Sequence, residues 1–88
     1  MQQRTFDMVL WLTTLGYEVG FRRSELFRPA HVLEIHLRKG DNHVKQLVDI
    51  SDTTVRVMRE SVDELISRTL RRAEWEFEYE FEKEKTKC

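Results

Sequence analysis

The sequence predicts a small α+β domain with the element order α-β-β-β-α. In this fold a three-stranded antiparallel sheet is covered on one face by an N-terminal helix and a long or split C-terminal helix. Residues 32–50 alternate apolar and polar side chains around a Gly-Asp turn, which is typical of a β-hairpin. Residues 4–15 and 54–82 carry apolar side chains at helical spacing. The length of 88 residues fits one domain, so we expect residues 1–88 to fold as a single unit.

Residues 4–15 are predicted to form the first helix. Thr5 is expected to cap it, Asp7 favours its N-terminal end, and Gly16 is placed to terminate it. The helix is unusually apolar, which leaves two interpretations open. It is either wedged between the sheet and a second helix, or it presents Met8 and Trp11 as part of a dimer or partner surface.

Residues 17–21 alternate and predict the first strand, with Tyr17, Val19 and Phe21 on one side. Residues 22–30 contain three arginines and a proline, and they break this pattern. They predict a loop with a short helical turn beginning at Ser24.

The hairpin has a register that can be predicted from its turn. If Lys39 pairs with Asn42, the apolar side chains of both arms lie on one side of the sheet. Gln46 then falls on the inner side, at an edge or bonded to a loop, and Leu47 falls on the outer side. The predicted inward set is Leu33, Ile35, Leu37, Val44 and Val48.

Residues 51–54 read Ser-Asp-Thr-Thr, which is a helix start signal. The helical phase then continues to about residue 82, and we expect a kink or break near Ala73. Glu64 with Arg68, and Arg72 with Glu76, have the spacing of side-chain pairs along a helix.

The C-terminal segment, residues 73–88, reads A-E-W-E-F-E-Y-E-F-E-K-E-K-T-K-C and has two possible geometries. As a strand, all four aromatic side chains would share one face. As a helix, which the unbroken phase favours, Phe77 and Phe81 pack inward while Trp75 and Tyr79 form a separate stripe.

The charge of the chain is distributed unevenly. Residues 1–72 carry twelve Lys and Arg against ten Asp and Glu, whereas residues 73–88 carry three Lys against six Glu. The strongest local field is therefore negative, at the C-terminal segment. The single cysteine, Cys88, excludes a disulfide within the chain and favours a reducing, cytoplasmic setting. No apolar run is long enough to span a membrane, so no membrane association is expected.

The sequence contains no recognisable catalytic or cofactor-binding motif. His36 and His43 are expected on the solvent side of the hairpin, where two histidines without a third ligand make a poor metal site. The three glycines are scattered and form no phosphate-binding loop. We therefore expect no enzymatic activity, no metal and no cofactor.

Two resemblances accompany this interpretation. The element order resembles that of double-stranded RNA-binding domains, although residues 51–60 carry only Arg56 and Arg59 where that family has a lysine cluster. The stretch L-E-I-H-L-R-K-G-D-N-H-V, followed by D-I-S-D-T-T and E-W-E-F-E-Y-E-F-E, resembles small phage-encoded proteins of the α-β-β-β-α-α plan. These include an anti-CRISPR inhibitor of type II effector nucleases, in which acidic groups imitate DNA phosphates. That resemblance implies a small regulatory or inhibitory protein.

The sequence thus favours a non-enzymatic protein-interaction module that binds a basic partner. Two alternatives remain, a nucleic-acid-binding module and a self-associating protein such as a homodimer. The residues predicted to bind the protein partner are Trp75, Glu76, Glu78, Tyr79, Glu80 and Glu82. The residues of the alternative nucleic-acid patch are Arg22, Arg23, Arg28, Arg38, Lys39 and Lys45.

Overall fold

The computed structural model describes residues 3–24 and 31–82 and confirms the α+β class. After the sheet, the described chain is a split helical region, and its last described part is a π-helical turn, Glu78–Glu82. Arg28, most of the predicted loop at 22–30, and Cys88 lie outside the described residues. The loop was wrongly predicted to begin at residue 22, because Arg22 and Arg23 continue the first strand. The elements in chain order are α1 (Gln3–Thr14), β1 (Glu18–Arg23), β2 (Val32–Lys39), β3 (Asn42–Asp49), α2 (Asp52–Met58) and α3 (Val62–Phe77).

The three strands form one antiparallel sheet in the order β1-β2-β3. Lys39 pairs with Asn42, and the register of the hairpin is the predicted one along its whole length. Gly40 adopts a positive φ of 63° in the turn, a conformation that glycine enters at little cost. The period-two pattern therefore fixed which side chains face the helices.

The core lies between the inner face of the sheet and the two longer helices. Ile35 and Leu37 of β2 are fully buried there, whereas Leu47 on the other face is 40 % exposed. α3 packs on β3 and β2, and α1 packs on α3 and β1. The buried apolar side chains are Leu12, Tyr17, Ile35, Leu37, Val44, Val48, Leu65, Leu70, Ala73 and Phe77.

The N-terminal end of α1 is capped by a residue from another helix. The backbone N–H groups of Arg4 and Thr5 donate to the Asp63 carboxylate at 3.0 and 2.8 Å. The Thr5 hydroxyl also donates to the Asp63 carbonyl oxygen at 3.3 Å. The prediction that Thr5 caps α1 is wrong, because Thr5 lies within the helix and is buried against Asp63. The first N–H groups of a helix need an outside acceptor, and Asp63 provides it.

The helical region after the sheet is interrupted at Arg59–Ser61, so the predicted kink near Ala73 is wrong. Arg59 adopts a left-handed conformation with φ 55°, which ends α2. Ser61 then caps α3 by accepting from the N–H of Glu64 at 3.1 Å. The sequence S-V-D-E carries this signal as a serine followed three residues later by a glutamate. Ala73 is buried within an unbroken α3.

Replacement of Ile35 by alanine tests the position of the core. We expect Ile35→Ala to lower the free energy of unfolding by about 2 to 5 kcal/mol, because it removes a fully buried branched side chain. Leu47→Ala, in the same hairpin but on the outer face, should change it by less than about 1 kcal/mol. Urea denaturation of both variants measures the difference, and equal losses would contradict the register.

Removal of the Asp63 carboxylate tests the cap of α1. Asp63→Ala should lower the melting temperature by several degrees, because it leaves the N–H groups of Arg4 and Thr5 without their acceptor. The control is Asp52→Ala, which removes the first-turn acid of α2. A thermal melt in which both variants lose the same stability would contradict a special role for Asp63.

Candidate functional site

The C-terminal end of α3 is held in place by a column of three aromatic rings. Phe77 is 1 % exposed, and its ring meets the Tyr17 ring edge-on with centroids 5.0 Å apart. The Phe81 ring continues the column, with its centroid 4.9 Å from that of Phe77. These contacts anchor one side of the helix on the core and leave the other side facing outward.

The last turn of the helical region is a π turn. The N–H of Glu78 is shared between the carbonyl oxygens of Glu74 and Trp75. A π turn holds more residues than an α turn, so positions four apart across it point in more nearly the same direction. Phe81 therefore stays in line with Phe77 on the core side, and Tyr79 stays in line with Trp75 on the outer side.

Trp75 and Tyr79 are the most exposed aromatic side chains of this segment. They are 62 % and 68 % exposed, respectively. The helical geometry predicted for residues 73–82 is confirmed, and the strand alternative is wrong. The chain continues as a helix because Phe77 and Phe81 both find a place on the core, which a strand with all aromatics on one face would not provide.

The glutamates of the segment have different environments. Glu78 and Glu80 are exposed beside the two aromatics, whereas Glu76 is half-buried and accepts a hydrogen bond from the Gln46 amide of β3. Glu74, in contrast, is buried. The side chain of Glu82 lies outside the described residues. We name the four exposed residues Trp75, Glu78, Tyr79 and Glu80 the C-terminal face.

Three arginines precede the C-terminal face on the outer side of α3. Arg68, Arg71 and Arg72 are all exposed. Arg68 donates to the Glu60 carboxylate at 2.5 Å instead of pairing with Glu64, because the break before Ser61 brings Glu60 within reach. Glu76, which bonds to Gln46, likewise does not form the predicted pair with Arg72. Our sequence reasoning missed this basic stretch, although R-T-L-R-R stands directly before the segment.

A groove of about 600 Å³ separates α1 from the outer side of α3. Trp11, which is 48 % exposed, and Met8 line it from α1. Arg68 and Arg71 line it from α3. Trp11 is therefore partly exposed at a surface next to the arginines, and the partner surface on α1 stays a prediction.

The basic residues of the alternative nucleic-acid patch do not share one face. By register, Arg22, Arg38 and Lys45 project from the outer face of the sheet, together with Glu18, Glu34 and Asp49. Arg23 and Lys39 belong to the other side, where the Lys39 ammonium lies 4.9 Å from the centre of the Tyr17 ring. The outer face thus balances three basic against three acidic residues, and such a balance does not attract a polyanion.

His36 and His43 form a stacked pair on this outer face. Their rings are nearly parallel with centroids 5.0 Å apart, and His36 Nδ1 lies 2.8 Å from His43 Nε2. The Glu34 carboxylate contacts His36 Nε2 at 3.0 Å, and this hydrogen bond is the main reason why the pKa of Glu34 lies below its ordinary value. The pKa of His43 is also lowered, first by loss of water around the ring and then by the nearby His36, Arg38 and Lys45.

The comparisons with known proteins identify no relative of this chain. No family model matches it, and neither a curated protein nor a solved structure is significantly similar. Among residues 3–24 and 31–82, no group of three or more His, Cys, Asp or Glu is placed to hold a metal ion. No helix in that part of the chain is long and apolar enough to cross a membrane.

The lowered pKa of His43 predicts a loss of stability in mild acid. A histidine whose pKa is lowered by folding contributes full stability above its ordinary value of 6.5, and that contribution falls as the pH drops towards the folded pKa. His43→Asn should therefore lose less stability than the unchanged chain between about pH 7 and about pH 5.5. Urea denaturation at both pH values measures this, and identical pH dependence would contradict the prediction.

Proposed function

We propose that this chain is a non-enzymatic protein-interaction module that binds a basic surface of a partner protein through its C-terminal face. The observation that carries the proposal is the exposure of Trp75 and Tyr79 beside Glu78 and Glu80. Tryptophan and tyrosine are frequent anchors of protein interfaces, and carboxylates around them steer a basic partner.

The rigidity of the C-terminal face supports the same proposal. Phe77 is buried on the opposite side of the helix and fixes its rotation, while Phe81 packs against the core below the π turn. The helix backbone that carries the exposed aromatics is therefore in place before a partner arrives, and binding costs less ordering of the chain. The relation to phage-encoded inhibitors remains a prediction.

Nucleic-acid binding is the weaker alternative. Arg22, Arg38 and Lys45 share the outer sheet face with an equal number of carboxylates. Affinity for nucleic acid depends mainly on unopposed cations that replace counterions at phosphates. We therefore propose a protein partner.

Fluorescence of Trp75 tests the proposal. In a Trp11→Phe background, Trp75 is the only tryptophan and should be quenched readily by iodide or acrylamide at low protein concentration. A synthetic helical peptide rich in arginine and leucine should protect it, because the peptide offers cations and apolar area together. The same peptide with glutamate in place of arginine should not protect it.

Two pairs of charge-removing variants test whether the peptide binds at the C-terminal face. Glu78→Gln with Glu80→Gln should weaken the peptide at least about tenfold, since it removes the carboxylates beside Trp75. Glu18→Gln with Asp41→Asn removes the same charge from exposed positions elsewhere and should leave binding unchanged. A Trp75 that the arginine peptide never protects would overturn the proposal.

A further inference from the structure

We infer that the partner of the C-terminal face is a second copy of this chain, bound as an antiparallel helix pair centred on Trp75. This inference rests on the proposed function, because it uses the same exposed residues. Its starting point is the order of charges along the outer side of α3. Arginines lie before Trp75, and acidic and aromatic residues lie after it.

The positions on both sides of Trp75 are self-complementary. Arg71 and Glu78 are seven residues apart, which is about two helical turns, so they lie on the same side of the helix. Arg72 and Tyr79 have the same separation, one residue further along the helix. Trp75 stands between the members of each pair. Arg71 and Arg72 lie four and three residues before Trp75, and Glu78 and Tyr79 lie three and four residues after it, so the set is symmetric about the tryptophan.

A two-fold axis at Trp75 would bring the arginines of one copy opposite Glu78 and Tyr79 of the other. When two identical helices pack antiparallel, each flank of one faces the same flank of the other in reverse order. Arg71 then faces Glu78 of the second copy, and Arg72 faces Tyr79 of the second copy. The first is an ion pair, and the second places a guanidinium against an aromatic ring. Each contact occurs twice, and the two Trp75 side chains meet at the centre.

The surroundings of Arg71 favour the same arrangement. Arg71 and Arg72 make no ion pair within the described residues, so both guanidinium groups can reach outward. Arg71 also borders the groove with Met8 and Trp11, which adds apolar area beside the ion pair. A parallel pair would instead place Arg71 beside Arg71 and Glu78 beside Glu78, which repel.

Charge reversal combined with mixing tests the inference. Sedimentation velocity of the full chain in a Cys88→Ser background should show a monomer–dimer equilibrium that weakens with added salt. Arg71→Glu alone and Glu78→Arg alone should each weaken the dimer at least about tenfold, because like charges then face each other. An equimolar mixture of the two variants should regain the original affinity, since each supplies the charge that the other lacks. Arg56→Glu, an exposed reversal on α2, should change nothing.

The outcomes separate this inference from the proposed function. A dimer that ignores both reversals, or a mixture that does not recover while each variant remains folded by circular dichroism, would overturn the antiparallel pair. A chain that stays monomeric at every concentration would also overturn it. If Trp75 is nevertheless protected by the arginine peptide, the proposed function stands with another basic protein as partner. If Trp75 is not protected either, both fail.

Discussion

The fold depends on the placement of one carboxylate, that of Asp63. This side chain is buried at the start of α3 and accepts from the first N–H groups of α1. Burial alone would raise the pKa of Asp63, but the hydrogen bonds from Thr5 and Arg4 outweigh it and keep the pKa below its ordinary value. The carboxylate therefore stays charged where two backbone donors need it, and it sets the position of α1 relative to α3. The groove beside Trp11 follows from that position.

The sheet and the aromatic column determine the rest of the outer surface. The inner face of the hairpin requires a cover, and α3 supplies it with Leu65, Leu70 and Phe77. Once Phe77 is fixed against Tyr17, the opposite side of α3 must carry Trp75 into solvent. Core packing and the proposed partner binding thus use opposite sides of one helix. A change that rotates α3 would disturb both.

In the proposed function, the distribution of charge gives this surface its specificity. The C-terminal face is acidic, the stretch before it is basic, and the outer face of the sheet is balanced. A surface that carries both signs along one helix distinguishes the orientation of its partner as well as its charge. Arg71 and Glu78 thereby provide the simplest way to tell a second copy from an unrelated basic protein.

Local patterns in the sequence determined the strands and the sheet register. Alternation along residues 32–50 and the turn at Gly40 were sufficient, because strand faces and turn conformations depend on neighbouring residues. The exposure of Trp75 and Tyr79 also followed from the helical phase. The serine cap at Ser61 was visible in the sequence as well, although it was not used to place the break before α3.

Only the tertiary structure decided the remaining features. Thr5 was expected to cap α1, but Asp63, 58 residues away, does so. A helix cap needs an acceptor that lies close to the first N–H groups, and that acceptor can be distant along the chain. Glu76 has the spacing to pair with Arg72, yet it bonds to Gln46 on the inner face of β3. The residues of the predicted nucleic-acid patch do not share one face, because consecutive strand residues such as Arg22 and Arg23 point to opposite faces of the sheet. For α1 and for Glu76, a residue distant in the chain provides the contact, and the local sequence does not show which distant residue that is.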